Sequence, residues 1–259
     1  MKKVAVEAVK AVASFFLGTT VGRIILIVLI AALVLAACIK QVVNADTITT
    51  NMDLQKIMPV SSKSKGNSNA KPGEFPIYRQ GDYSIAGFDI PGDGCGPTAM
   101  AMVLTGLGLV LDGYDANGDG VMTPDEVAQF MLDKGVLTPG DGMFFSAPRV
   151  VAESLGDKVD FVSVENPDDK AAAANEAFSY IKSGYVGTVA NGAGFFTSVG
   201  HITAAVGWGT VDNSAEGQTS EEGIKIQDPN GGRCNDGTFS LGFLASQGNS
   251  TRYNLFKLK

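Results

Sequence analysis

The residues best suited to chemistry in this chain surround one cysteine, Cys95. It lies in the segment 94–98, GCGPT, between a glycine-rich turn and an apolar run with helical spacing. A helix N-terminus carries about half a positive charge and several free N–H groups, and both favour the deprotonated form of a thiol. The pattern therefore predicts a nucleophilic thiolate at the start of a helix.

Such a nucleophile requires a base, and the chain contains one histidine, His201. His201 follows Gly200 and begins an apolar run, 201–207, which is typical of a buried strand. Histidine is the side chain whose ordinary pKa lies nearest to neutrality, so it is the usual partner of a reactive thiol. We therefore expect His201 to be the base that activates Cys95.

Two further residues are candidates for supporting roles. An imidazole that shares a proton with a thiol works better when a carboxylate fixes its orientation, and Asp228 directly follows a predicted strand. The oxyanion that forms on an attacked carbonyl needs hydrogen-bond donors. The backbone N–H of Cys95 and the side-chain amide of Gln80 are suited to that role.

The elements that must position these residues are helices in the first half of the domain and strands in the second. Helices are predicted at Cys95 to about Thr105, Pro124 to Lys134, Ala147 to Leu155 and Asp169 to Lys182. Strands are predicted at Phe161 to Val164, Val186 to Ala190, His201 to Gly207, Gly223 to Gln227 and Tyr253 to Leu258. This order favours an α+β fold with an antiparallel sheet, on which the Cys95 helix packs.

At these residues the chain resembles the papain-clan cysteine peptidases, in particular stand-alone relatives of the bacteriocin-leader-processing (double-glycine) peptidases. The resemblance covers nearly everything from Tyr78 onward. Its motifs occur in the order of that family. They are Gln80-Gly81-Asp82, Gly94-Cys95-Gly96-Pro97-Thr98, Ala101-Met102-Val103-Leu104, Thr123-Pro124-Asp125-Glu126-Val127-Ala128, Phe196-Thr197-Ser198, Gly200-His201 and Asp228-Pro229.

The resemblance implies a papain-like cysteine peptidase fold, with N-terminal helices packed on an antiparallel sheet. It also implies four catalytic roles: Cys95 is the nucleophile, His201 the base, Asp228 the orienting group and Gln80 a donor in the oxyanion hole. No cofactor is expected for catalysis.

A second group of residues has the spacing of a calcium-binding loop. The segment 115–126, DANGDGVMTPDE, matches the twelve-residue EF-hand pattern, in which alternating oxygen ligands precede a glycine turn and a carboxylate closes the loop. The candidate metal ligands are Asp115, Asn117, Asp119, Val121, Thr123 and Glu126. We expect a structural role for Ca²⁺.

The end of this loop also fits a structural interpretation without metal. Thr123 as N-cap, Pro124 at the first helical position and Glu126 three residues after the cap form the pattern of a capping box. Both interpretations can hold at once, because a capping box does not explain the oxygen-bearing residues before Gly120.

The first forty residues indicate a membrane segment. Residues 24–39 are uninterruptedly apolar, with Arg23 and Lys40 at the ends, and Lys2, Lys3 and Lys10 precede them. Flanking positive charges favour an N-terminus inside the cell and a domain outside it. We predict a single-pass bacterial membrane anchor at 23–41. The alternatives are lipidation of Cys38 and a cleaved secretory signal.

The rest of the chain divides at changes of composition. Residues 1–22 are predicted as a cytoplasmic segment, 42–75 as a flexible polar linker and 76–259 as one globular domain that includes the loop 115–126.

The net charge is −7, and no basic cluster follows the apolar segment, which argues against nucleic acid as a partner. Three cysteines and one histidine make a disulfide framework or a zinc site improbable.

Together these features predict an extracytoplasmic cysteine peptidase that acts on a peptide or protein. Two other functions remain open. The same machinery can hydrolyse the peptide cross-links of the cell wall, and the fold can serve a surface complex as a binding module without catalysis. A Cys95→Ala variant separates the last function from the first two, because only a binding module keeps its biological role without the thiol.

Overall fold

The computed structural model describes residues 70–230, 235–247 and 251–259. All of them belong to the second of the two units into which the chain divides, Val60–Lys259. None of the helices in these residues combines the length and apolar character that a membrane-spanning helix needs. The predicted membrane segment 23–41, with Cys38, lies outside the described residues.

The helical part of the unit is centred on one buried helix. The α-helices are α1 (Ile90–Asp93), α2 (Cys95–Gly106), α3 (Pro124–Asp133), α4 (Ala147–Leu155), α5 (Lys170–Lys182) and α6 (Leu241–Ala245). Every residue of α2 from Gly96 to Thr105 is buried. A helix that is apolar on all sides is stable only inside a core, so α2 is enclosed by its neighbours.

The strands form a two-stranded hairpin and a six-stranded sheet. They are β1 (Leu137–Thr138), β2 (Gly142–Met143), β3 (Val159–Glu165), β4 (Val186–Asn191), β5 (His201–Asn213), β6 (Gly217–Gln227), β7 (Gly237–Ser240) and β8 (Arg252–Leu258). The large sheet has the order β3-β8-β4-β5-β6-β7, and its neighbouring strands pair antiparallel. The fold is therefore mixed α+β with antiparallel sheets, as predicted.

Both faces of the large sheet are covered. Along β5, Ala204 belongs to the apolar cluster that contains α2, whereas its neighbour Ala205 belongs to the cluster that contains α5. Successive side chains of a strand point to opposite faces, so this division places the two helices on opposite sides of the sheet. The α2 helix therefore packs directly against the strand that His201 begins.

The predicted helices agree closely with the observed ones, and the strands are longer than predicted. The largest differences are at β5, which ends at Asn213 where an end at Gly207 was expected, and at β6, which begins at Gly217 where a start at Gly223 was expected. The first six residues of β6 are exposed. They therefore lack the apolar alternation by which a strand is recognised. The short strands β1, β2 and β7 and the helices α1 and α6 were not predicted.

The end of the predicted linker packs against the domain. Ala70 and Phe75 contact the apolar cluster around α2, and the Gly73 N–H donates to the Thr105 carbonyl at 2.9 Å. A Cβ on Gly106 would lie 2.0 Å from the Phe75 ring. The packed part of the chain thus includes 70–75, which were assigned to the linker 42–75.

Candidate active site

Cys95 is the first residue of α2, as the sequence predicted. Gly94 precedes it as the N-cap, and the Thr98 N–H closes the first turn on the Gly94 carbonyl at 3.0 Å. Whereas the residues from Gly96 to Thr105 are buried, Cys95 is partly exposed and forms no disulfide. Its thiol therefore lies at the positive end of a buried helix and is open to a reactant.

His201 and Asp228 meet across two neighbouring strands. His201 begins β5, and Asp228 directly follows β6, whose Gln227 pairs with Ala204. His201 Nε2 lies 2.7 Å from Asp228 Oδ1, and their exposed fractions are 6% and 0%. A hydrogen bond between two groups this deeply buried fixes both the ring orientation and its tautomer.

The Cys95 side chain also acts on the His201 ring and favours its charged form. Since Nε2 faces Asp228, Nδ1 is the nitrogen that remains for the sulfur. Burial lowers the pKa of His201, but the interactions with Asp228 and Cys95 outweigh it and raise that pKa from 6.5 to about 9. Cys95, His201 and Asp228 thus form one interacting group that holds the imidazole in its charged form.

Gln80 lies in a short 3₁₀ turn, Gln80–Asp82, and is buried. Its Nε2 donates to the Pro91 carbonyl at 2.7 Å. Pro91 belongs to α1, the helix that directly precedes Cys95. One N–H of the Gln80 amide therefore holds the side chain beside the entrance to α2, and the second N–H is available to another acceptor.

Several neighbours of these residues were missed by sequence reasoning. Met143, in β2, contacts the start of α2: a Cβ on Gly96 would lie 2.5 Å from Met143 Cβ. Arg79 and Asp236 form an ion pair beside Asp228. The residues of that pair are 157 positions apart, so local sequence carries no signal of it. Only the position of Arg79 next to Gln80 pointed to this region.

The segment 115–126 folds as a tight loop stabilised by its own oxygen atoms. Asp115 accepts from the N–H groups of Gly118 and Gly120 at 2.9 and 3.0 Å. Asp119 accepts from Val121 N–H at 2.8 Å. Glu126 Oε1 accepts from Ala116 N–H at 2.8 Å, which ties the end of the loop to its beginning. The carboxylates thus bond backbone N–H groups of the loop.

The capping box predicted at the start of α3 is present. The Thr123 side chain accepts from the Glu126 backbone, and the Glu126 side chain accepts from the Thr123 N–H at 2.9 Å. Across the described residues, no group of three or more His, Cys, Asp or Glu side chains is arranged to hold a metal ion. The oxygen donors of the loop have the chemistry that Ca²⁺ requires, and its binding there stays a prediction.

No family model and no curated protein matches the chain. A functional assignment must therefore rest on the geometry of the candidate site and on the sequence motifs.

Proposed function

We propose that the protein is a cysteine peptidase that hydrolyses peptide bonds through Cys95, His201 and Asp228. The observation that supports it most is the hydrogen bond from the His201 ring to the buried Asp228 carboxylate, together with the Cys95 side chain that acts on the same ring. This arrangement has the three parts that nucleophilic catalysis needs, namely a nucleophile, a base and a group that orients the base. The papain-like fold suggested by the motifs belongs to the same proposal.

In the first half of the reaction, the Cys95 thiolate attacks the carbonyl carbon of the scissile bond. The carbonyl oxygen becomes an oxyanion, for which the Cys95 N–H and the free N–H of the Gln80 amide are the proposed donors. Collapse of this intermediate breaks the C–N bond, and imidazolium His201 gives its proton to the departing amine. The acyl group is left on sulfur as a thioester.

In the second half, neutral His201 takes a proton from a water molecule. The resulting hydroxide attacks the thioester, and the Cys95 thiolate leaves with the imidazolium beside it. Atoms and charges balance over the cycle, because one water is consumed and a carboxylic acid and an amine are released. The raised pKa of His201 suits this cycle, since the imidazolium is the resting form.

Exposed apolar side chains next to these residues support a peptide as substrate. Phe144 and Phe145 directly follow Met143, which contacts the start of α2, and their exposed fractions are 40% and 62%. Val199, two residues before His201, is 66% exposed. Large apolar side chains in such positions suit the side chains of an extended peptide that binds across the thiol.

A bacterial outer surface is the proposed location of this activity. The support is the apolar segment 24–39 and the positive residues that precede it. At such a surface, proteins, peptides and the cross-links of the cell wall are all accessible. Hydrolysis of those cross-links is the alternative substrate class, and it requires no change in the mechanism.

The function is tested by hydrolysis of quenched-fluorescent casein and of purified peptidoglycan. We expect the wild type to cleave casein, and Cys95→Ala to lose at least about 1000-fold of that activity, because the variant lacks the proposed nucleophile. Cys234→Ala removes a cysteine without a proposed role and should keep full activity. Release of peptides from peptidoglycan alone would identify the alternative class, and activity retained in Cys95→Ala would refute the mechanism.

A further inference from the structure

A partly buried arginine side chain reaches the backbone of the proposed orienting residue. Arg79 Nη1 donates to the Asp228 carbonyl oxygen. The same guanidinium binds both carboxylate oxygens of Asp236, at 3.3 Å to Oδ1 and through Nη2 to Oδ2. The exposed fractions of the two side chains are 19% and 29%, so this forked ion pair is largely shielded from solvent.

The other side of the Asp228 backbone is held by the second member of the ion pair. Asp236 Oδ1 accepts from the Asp228 N–H at 2.8 Å. Arg79 therefore bonds the backbone carbonyl of Asp228, and Asp236 bonds its backbone N–H. In the next residue pair, the Gln80 N–H donates to the Pro229 carbonyl at 2.9 Å. The segment 79–80 is thus bonded to 228–229 at two successive residues.

The segment that carries Arg79 is itself anchored in the core. Tyr78 and Tyr83 are 1% and 3% exposed, and their rings pack edge to face at 5.6 Å. An arginine between an anchored tyrosine and buried Gln80 has little freedom to move. Its guanidinium is therefore a fixed support for Asp228.

We propose that Arg79 and Asp236 are positioning residues, which hold Asp228 against His201 and keep Gln80 in register with it. The inference rests on the proposed function, because it assigns their role through that site. Both residues contact the backbone of Asp228. Their effect is transmitted through the backbone of Asp228.

The direction in which the pKa of His201 moves distinguishes a positioning role of Arg79 from a direct effect of its charge. Removing the positive charge of Arg79 alone would favour the imidazolium and raise the pKa of His201. Loosening Asp228 would weaken its bond to the ring and lower that pKa. The titratable groups that act on His201 are Cys95 of α2 and Asp228 after β6, so a fall in the His201 pKa reports on this set of contacts.

The experiment is an NMR titration of the imidazole proton resonances in full-length protein purified without a histidine tag. Because the chain has one histidine, these resonances belong to His201 alone. We expect a midpoint near pH 9 in the wild type. In Arg79→Met the midpoint should fall by about one unit, which is a tenfold change in the equilibrium. A midpoint that stays or rises in folded Arg79→Met overturns the positioning role.

Two further variants keep the test decisive. Arg79→Lys retains the charge but not the forked geometry, so the His201 midpoint should fall by less than in Arg79→Met. An unchanged midpoint in Arg79→Lys contradicts the proposal, even where Arg79→Met fails to fold. Arg252→Met is the matched control. The Arg252–Glu165 pair is 24% and 29% exposed and involves two nitrogens, yet it does not contact Asp228. Its loss should leave the midpoint unchanged.

The outcomes for the two proposals are distinct. A wild-type midpoint near the ordinary pKa of histidine, about 6.5, would mean that the thiolate–imidazolium pair does not exist and would remove the proposed function together with the positioning role. A high wild-type midpoint with unaltered Arg79 variants would leave the proposed function intact and reject the positioning role alone.

Discussion

Two opposing effects act on His201, and the balance between them determines its charge. Burial to 6% exposure favours the neutral ring, because a charge loses solvation in the protein interior. The hydrogen bond to Asp228 and the interaction with Cys95 favour the charged ring, and they prevail, since the pKa rises to about 9. A buried histidine that carries its charge near neutral pH is well suited to protonate a leaving amine.

This raised pKa predicts how activity depends on pH. Peptide hydrolysis should persist through neutral pH and decline as the pH rises through about 9, because His201 then loses the proton that the leaving amine needs. The profile of kcat/KM for casein measures this alkaline limb in the free enzyme. A limb near pH 6.5 would show that His201 titrates as an ordinary histidine.

Folding stability should also depend on the protonation of His201. The folded-state pKa lies above the unfolded value, so the contribution of His201 is complete below about pH 6.5 and is lost as the pH rises through about 9. The free energy of unfolding in urea, measured between pH 6 and 10, should show this loss in the wild type and not in His201→Ala. An equal pH dependence in both proteins would contradict the assignment.

Substitutions at Asp228 separate orientation from charge. In Asp228→Asn the side-chain oxygen still accepts from His201, so we expect a loss of about tenfold in kcat/KM, whereas Asp228→Ala should lose about 100-fold or more. Both should keep their fold, as judged by circular dichroism. If the alanine variant were as active as the asparagine variant, the contact at 2.7 Å would have no orienting role.

At the scale of elements, the active site depends on neighbouring strands and one helix start. Antiparallel pairing of β5 with β6 puts the beginning of one next to the end of the other, and that is where His201 and Asp228 lie. The positions of Cys95 and His201 within their elements could be predicted, because a glycine turn precedes each apolar run. Their approach depends on α2 packing against β5, which local sequence does not specify.

Calcium binding by the loop 115–126 remains a prediction. Addition of about 10 mM CaCl₂ should raise the thermal midpoint of the wild type, since a loop of this kind on a cell surface binds with millimolar affinity or better. Asp119→Asn can keep the bond from the Val121 N–H while losing a charge, so it should reduce the shift without destroying the loop. An equal shift with MgCl₂, or none with calcium, would contradict a calcium site.

At the scale of the whole molecule, the α+β class could be predicted from the order of helices and strands. Contacts between distant charged residues could not. Arg79 and Asp236 read separately as surface charges, and only the folded chain brings them beside Asp228. The strand β6 illustrates a different limit, because its exposed first half extends beyond the core and lacks the pattern that burial imposes.

Membrane attachment is a prediction about residues 23–41, which lie outside the described residues. The full-length protein should sediment with membranes and resist alkaline extraction, because residues 24–39 are apolar without interruption. Cys38→Ala should behave identically if the segment is an anchor, whereas loss of attachment in this variant would indicate a lipoprotein. Release of the wild type into the medium would indicate a cleaved signal.

The most direct test of the account is the rate at which iodoacetamide alkylates Cys95 at mildly acidic pH, with the modified site identified by mass spectrometry. An activated thiolate predicts that the wild type reacts at least about tenfold faster than His201→Ala, since an ordinary thiol with a pKa of about 8.5 is almost wholly protonated there. Equal rates in the two proteins would contradict the thiolate–imidazolium pair on which the proposed peptidase depends.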